Sequence, residues 1–522
     1  MSNLSLDSIK VTRNEPRMHP ASGFLSLPSV AMRLAPEILI LELFRDVFFP
    51  SKRDENSQTR ELAPDLRDKD NNLVFGDGER AVIFAFRGRR KQAKQSREDP
   101  FFAPAYPGLA AHAWLSKNRE RVVARLLFNG AFAQHLWGSS DQSAASTERQ
   151  RNVIELMVAA LSGTVKKHKS DGQEYADILA ACLPDQGRTG DTNQAQDSLR
   201  DLTGSTSKTV FRADKDELAA RIFHDFEVLC HTESTMPRLL WLRLMMTYLR
   251  FALPMWLLAQ MRITVLTHGW MLQALNGGTV PDDTTILAAL ATRNRGLIRP
   301  TLTPSGEVPG RIRQYIRCRV ELNVMLYVLE QLRPQEIGQR EITTTTLGKT
   351  KLKLSDLLLI AQKASKDLAE DPLCKAAGSP ATFVARQAER FPAWRDPLSN
   401  GQGKNIDEFL RVLYRAERGD EAGGHLLVRQ GRGDSAGFRV FPGQMLLQTV
   451  ALLAARAKQG SGNGTGGGRL VLRDIEDHFE EYGINFSLAA EARPLLMAEL
   501  QSLGLLAGSP DAGSSVAVTS PY

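Results

Sequence analysis

The residues of this chain best suited to chemistry are basic ones gathered in two runs. Arg87, Arg89, Arg90, Lys91, Lys94 and Arg97 fall within eleven residues with no acid among them. Arg293, Arg295, Arg299, Arg311, Arg313, Arg317 and Arg319 fall within twenty-seven residues, relieved only by Glu307. A guanidinium is a planar fork that matches phosphate oxygens. Runs of this density point to contact with a nucleic-acid backbone, which positions the polymer without reading its sequence. On a helix, Arg313 and Arg317 share one face. The competing reading is a solvated surface, or salt bridges to acids elsewhere in the fold. Arg429, Arg432 and Arg439 add a smaller patch on an expected hairpin.

Other constellations carry less. The loop Gly460 to Gly468 follows a helical pattern and ends in Arg469, so it lacks the strand-before, helix-after context of a phosphate-binding loop. Gly348-Lys349-Thr350 has Thr343 where the first Gly of such a motif would stand. His224, Glu227, Cys230 and His231 are metal-capable residues in one helical stretch. The histidines lie two turns apart, too far for one helix to offer both to a single ion. No Ser/His/Asp order or nucleophile elbow stands out. The reading therefore leans to a protein without catalytic activity, cofactor or metal.

The elements that must position these residues are expected to be mainly α-helical. The chain has 522 residues, 42% of them hydrophobic and 24% charged, with a net charge of +7. That length suggests about three domains, and the mild excess charge gives no nucleic-acid signal without clustering. Four cysteines, none near another in sequence, suit buried thiols in a reducing cytoplasm. No secretory signal is visible at the N-terminus. The most apolar stretch, Phe251 to Met261, is half the length a membrane span needs. It reads as a core helix kinked at Pro254, and no membrane partner is expected. The expected organisation is a loose N-terminus (1–20), a mostly helical domain (21–184), a linker (185–209), a helical middle domain (210–372), a second linker (373–404), and a hairpin with a winged-helix domain (405–522).

That last assignment rests on element order. Arg469 to Leu472 reads as a strand, Asp474 to Tyr482 as a helix, and Leu488 to Leu503 as a second helix. Leu505-Leu506 and Ser515 to Val518 read as two further strands. This order resembles the winged-helix superfamily, with Pro494 as a departure inside the second helix. From Arg469 to Tyr522 there are eight acids and three bases, the wrong balance for a DNA groove. The segment is similar to winged helices that bind proteins, as in the kleisin subunits of chromosome-organising complexes. The chain as a whole also resembles accessory subunits of bacterial antiphage-defence systems.

The fold class expected is thus mainly α, multidomain, with a C-terminal winged-helix (α+β) domain. The function expected is a non-enzymatic subunit of a cytoplasmic DNA-associated assembly. It would hold nucleic acid non-specifically through Arg87, Arg89, Arg90, Lys91, Arg293, Arg295, Arg299, Arg311, Arg313 and Arg317. It would dock at least one protein partner through Asp474, Asp477, Glu480 and Glu481. The alternatives are a nuclease whose site is assembled from scattered residues, and a winged-helix transcription regulator.

Overall fold

The computed structural model describes residues 216–338, 341–343, 351–415, 423–431, 437–461, 469–486, 491–507, 513 and 515–522. In the N-terminal part it describes 4, 9, 11–12, 15–25, 27, 39–40, 42–43, 123, 125–132 and 144–162. Among these residues the chain is mainly helical, with a small three-stranded sheet. The first basic run, the linker expected at 185–209, the Gly348-Lys349-Thr350 tripeptide and the loop at 462–468 lie outside the described residues.

Two short strands, β1 (Val11–Thr12) and β2 (Glu15–Pro16), pair antiparallel. Helix α1 is Ala144–Ser162, α2 is Glu217–Thr232 and α3 is Arg238–Leu275. The 38-residue α3 is the spine. Trp241, Met245, Tyr248, Leu253, Met255 and Trp256 are all fully buried along it. A helix apolar on every side belongs in a core or a membrane. It is the one described helix long and apolar enough to span a bilayer, and its most apolar stretch is mostly buried within the protein. The expected end at Met261 is corrected: α3 runs on through Pro254 to Leu275 and stops at Gly277, whose φ of 75° is left-handed. Buried Arg238 donates to the carbonyls of Ala160 (3.1 Å) and Leu161 (2.5 Å) at the end of α1. Arg250, buried within the spine, donates to the carbonyls of Val412 and Tyr414.

Beyond α3 come α4 (Asp283–Ala291), β3 (Thr301–Ser305) and α5 (Glu307–Leu332). Strands β4 (Glu341–Thr343) and β5 (Lys351–Lys353) pair in parallel, and α6 is Leu354–Glu370. Both α5 and α6 pack on α3.

The residues expected to be a second linker instead form α7 (Pro372–Ala377), α8 (Pro380–Ala388), α9 (Pro392–Arg395) and α10 (Gly401–Leu410). The polar and Pro-rich composition that suggested a linker is helix punctuation. Asp371 and Ser379 cap the first turns of α7 and α8, with Pro372 and Pro380 just inside. Phe383, Phe391, Ile406 and Phe409 are buried, and α8, α9 and α10 all pack against α5.

The N-terminal segment also departs from expectation. Residues 15–25 are held on α5 rather than loose. The His19 amide donates to Asn323 Oδ1 (2.7 Å), Asn323 Nδ2 to the Arg17 carbonyl (3.1 Å), and His19 Nε2 lies 3.1 Å from Glu330.

The expected hairpin forms as β6 (Leu427–Gln430) and β7 (Gly437–Val440), with Val428 opposite Arg439. Its third strand, β3, lies within the second arginine run and pairs with β7. The C-terminal part consists of α11 (Gln444–Ser461), α12 (Leu472–Glu481) and α13 (Ala492–Ser502). The strand expected at 469–472 reduces to a bridge, Val471 to Ala517, because α12 begins at Leu472. The segments near 471, 506 and 517 form one ladder. Leu472 donates to Val516 (2.9 Å), Val518 to Leu470 (2.8 Å) and Ala507 to Ala517 (2.8 Å). Pro494 occupies the first turn of α13, where its missing N–H is no loss.

Candidate functional site

The second arginine run does not form one surface, because it crosses a turn, strand β3 and the start of α5. Arg293 is 1% exposed. Its Nη2 sits 2.5 Å from Asp216 Oδ2, and Asp216 also caps α2 through the Ala219 amide (3.1 Å). A phosphate cannot reach it, so Arg293 is removed from the expected interface. Arg311 turns inward as well, donating to the Gly296 carbonyl (3.0 Å) and Glu307 (2.8 Å). From the other side Arg262, which the sequence did not single out, donates to the Arg295 carbonyl (2.5 Å). Two guanidiniums thus bind carbonyls of the turn that follows α4. Arg319 is buried.

Arg295, Arg299, Arg313 and Arg317 remain. Arg295 is exposed and pairs at 3.3 Å with Glu217. Arg299 is exposed and Arg313 half-buried, and neither has an ion-pair partner among the described residues. Arg313, Gln314 and Arg317 lie along the outward stripe of α5 at helical spacing. Arg317 lies over the ring of Trp394 on α9, 5.0 Å from its centre, and its Nε reaches the Trp394 carbonyl at 3.3 Å. Trp394 Nε1 donates to Glu321 Oε1 (2.8 Å), and His268 Nε2 stands 2.5 Å from the other oxygen of that carboxylate. On the hairpin, Arg429 is exposed and Arg439 lies over Phe441 at 5.6 Å.

The acids expected to meet a partner protein are mostly engaged within the chain. Asp474 binds Lys458 (2.6 Å) and accepts from the Val471 amide (2.7 Å), closing the start of α12. Asp477 pairs with Arg473 at 3.6 Å, and Glu480 accepts from Asn485 (2.9 Å). Glu481 accepts from Arg221 of α2 (2.7 Å). The one arginine of α13, Arg493, is held in a fork by Glu476 at 2.6 and 2.8 Å.

Beneath Arg221 lies a centre that sequence reasoning missed. Asp225 of α2 is fully buried. Tyr482 donates to its Oδ2 at 2.8 Å, and His478 Nε2 lies 2.9 Å from the same oxygen, off the line of a hydrogen bond. Arg221 Nη1 stands 3.5 Å from Oδ1. Tyr248 of α3 donates to the Ile222 carbonyl (2.6 Å), 3.3 Å from the Tyr482 oxygen. Burial works to raise the Asp225 carboxyl, but His478, Arg221 and Tyr482 outweigh it and hold it below the usual carboxylate range. Burial and the Asp225 charge push both phenols well above their ordinary value. Phenols that stay protonated and sealed from solvent do not serve as bases. The arrangement joins α2, α3 and α12.

The same junction continues at the turn after α4. Asn294 Nδ2 donates to the Glu481 carbonyl (2.6 Å) and the Ile298 amide to the Gly483 carbonyl (3.1 Å). Gly483 has φ of 91°, and a Cβ there would stand 2.2 Å from the Asn294 carbonyl oxygen. Only glycine allows this approach.

The metal-capable residues on α2 do not converge. His224 and His231 are exposed, whereas Cys230 is buried on the opposite side, its thiol pushed up by burial. No protein-family model matches the chain, and neither a curated protein nor a solved structure does.

Proposed function

We propose that this chain is a non-enzymatic, mainly helical subunit of a nucleic-acid-associated assembly. It contacts the polymer by charge, through the outward stripe of α5 and the turn before it: Arg295, Arg299, Arg313 and Arg317. The observation that carries this reading is the placement of Arg313 and Arg317. They rise one helical turn apart on the solvent side, while Arg293 and Arg311 of the same run face the protein's own groups. Guanidiniums on a rigid helix can replace counterions on a phosphate chain without reading bases.

In this reading the C-terminal part is a winged helix that serves protein contact. Its support is the order α11, bridge, α12, α13 and two bridged segments in one ladder. The exposed residues of α13 are Pro494, Ala498, Gln501 and Ser502, and its one cation, Arg493, is paired with Glu476. The chain works in a reducing compartment such as the cytoplasm, a reading supported by the buried free thiols Cys230, Cys318 and Cys374.

The test is a mobility shift with unrelated duplexes at several salt concentrations. Replacing Arg313 and Arg317 together by Ala should weaken binding to all of them alike and lower the salt slope by about 2. Unchanged binding by the double variant, or a strong preference for one sequence, removes this reading.

A further inference from the structure

Arg317 differs from an ordinary surface arginine in being held at two points. Its guanidinium lies over the Trp394 ring at 5.0 Å and its Nε is tied to the Trp394 carbonyl at 3.3 Å. The ring cannot turn away, because its Nε1 is bound to Glu321 at 2.8 Å. Glu321 is only 14% exposed at its side chain and is held on its other oxygen by His268 at 2.5 Å. The chain of contacts His268, Glu321, Trp394, Arg317 therefore runs from α3 through α5 and α9 to the surface, and it ends in an exposed guanidinium plane. One turn earlier on α5 stands Arg313, with exposed Gln314 between them.

An arginine meant only to neutralise phosphate has no need of such support, since a mobile cation serves equally well. A fixed plane beside a second cation matches a ligand that offers a flat ring and an anion a few ångströms apart. That is an unpaired nucleotide: its base stacks on guanidinium or aromatic planes, and its phosphate takes the neighbouring charge. In a duplex the base faces are covered by their neighbours, so the plane has nothing to stack on.

We infer that Arg317, held on Trp394, is a stacking platform for an unpaired base of single-stranded nucleic acid, with Arg313 taking an adjacent phosphate. The inference rests on the nucleic-acid reading above and narrows it to single strands.

The test uses the full chain and fluorescein-labelled oligothymidine, the same strand with abasic sites throughout, and a duplex, read by anisotropy. Arg317→Lys keeps the charge and loses the plane. It should weaken oligothymidine binding roughly tenfold, the scale of one lost stacking contact. Binding of the abasic strand and the duplex should stay within about twofold of wild type, as a retained charge implies. Arg313→Ala should weaken all three. Thermal melting of each variant checks that it folds, and both side chains lie on the solvent side of α5. Equal oligothymidine binding by wild type and Arg317→Lys overturns the platform while leaving the charge-based reading intact. Wild-type binding that ignores the loss of bases does the same. Absence of binding to all three probes by the wild type overturns both.

Discussion

Tyr482, the residue that ends α12, donates a 2.8 Å hydrogen bond to Asp225 of α2, and neither side chain is accessible to solvent. The two residues are 257 positions apart in the chain. A buried carboxylate is costly unless its oxygens are met, so this bond ties the C-terminal part to the helical body. Tyr482→Phe keeps the ring packed on Phe251, 4.8 Å away, and removes only the donor. Loss of a hydrogen bond to a buried charge should cost about 1.5–3 kcal/mol. Urea denaturation of wild type and variant measures it, and a difference under about 0.5 kcal/mol, the range of inconsequential surface changes, would contradict the role.

The same centre sets an acid limit. The Asp225 carboxyl is held below its unfolded value, against its burial, by His478, Arg221 and Tyr482. Folding therefore favours the ionised form. The stability this contributes is complete above the unfolded carboxylate value near 4 and is lost as pH falls through the lower folded value. Asp225→Asn removes this group from the balance. Wild-type stability should decline more steeply than that of the variant from about pH 4 downward, in denaturant titrations at successive pH values. Parallel curves would show that another carboxylate governs the acid limb.

Arg293 and Arg317 belong to one run in sequence and should behave oppositely. Arg293 pairs with Asp216 with both side chains sealed from water. Removing one partner of a buried pair costs about 3–5 kcal/mol, because the other charge is left stranded. Arg293→Ala should melt far below wild type, whereas Arg317→Ala should melt within a few degrees of it. Differential scanning fluorimetry distinguishes them, and equal melting points would show that Arg293 is not a structural residue.

These contrasts show what the sequence could and could not reveal. Some of the fold was legible: the expected hairpin forms as β6 paired with β7. The strand β3 was not, since Thr301–Ser305 is short and carries Pro304; it exists because β7 offers it a pairing edge. The helices after Asp371 were hidden by their own caps. The Asp225 centre left a trace that could have been followed. Asp225 falls on the buried face of α2 with Ile222 and Leu229, and His478 falls on that of α12 with Ile475 and Phe479. A charged residue on an apolar stripe demands a partner, but the sequence does not say where that partner is. The arginine run misled for a related reason. Density of charge is visible in sequence, whereas the direction of each side chain is set by the tertiary fold.

The last prediction concerns removal of Arg469 to Tyr522. Read from charge alone, this acidic segment could be deleted with loss of a partner and little else. The contacts argue for a larger effect. Deletion takes Glu481 from Arg221, and both Tyr482 and His478 from Asp225. It strips Phe479 and Tyr482 from Phe251, whose ring is 2% exposed in the intact chain. It also removes the Gly483 carbonyl that accepts from Ile298. The truncated chain would carry an uncovered apolar face and a carboxylate without its Tyr482 donor, a combination that favours aggregation. It should therefore melt well below the full chain or fail to remain soluble, before any question of partner binding arises. Size-exclusion chromatography with thermal melting decides it. A soluble, monodisperse truncation that melts with the full chain would show that the C-terminal part is an independent appendage, and that the α2–α12 junction contributes little.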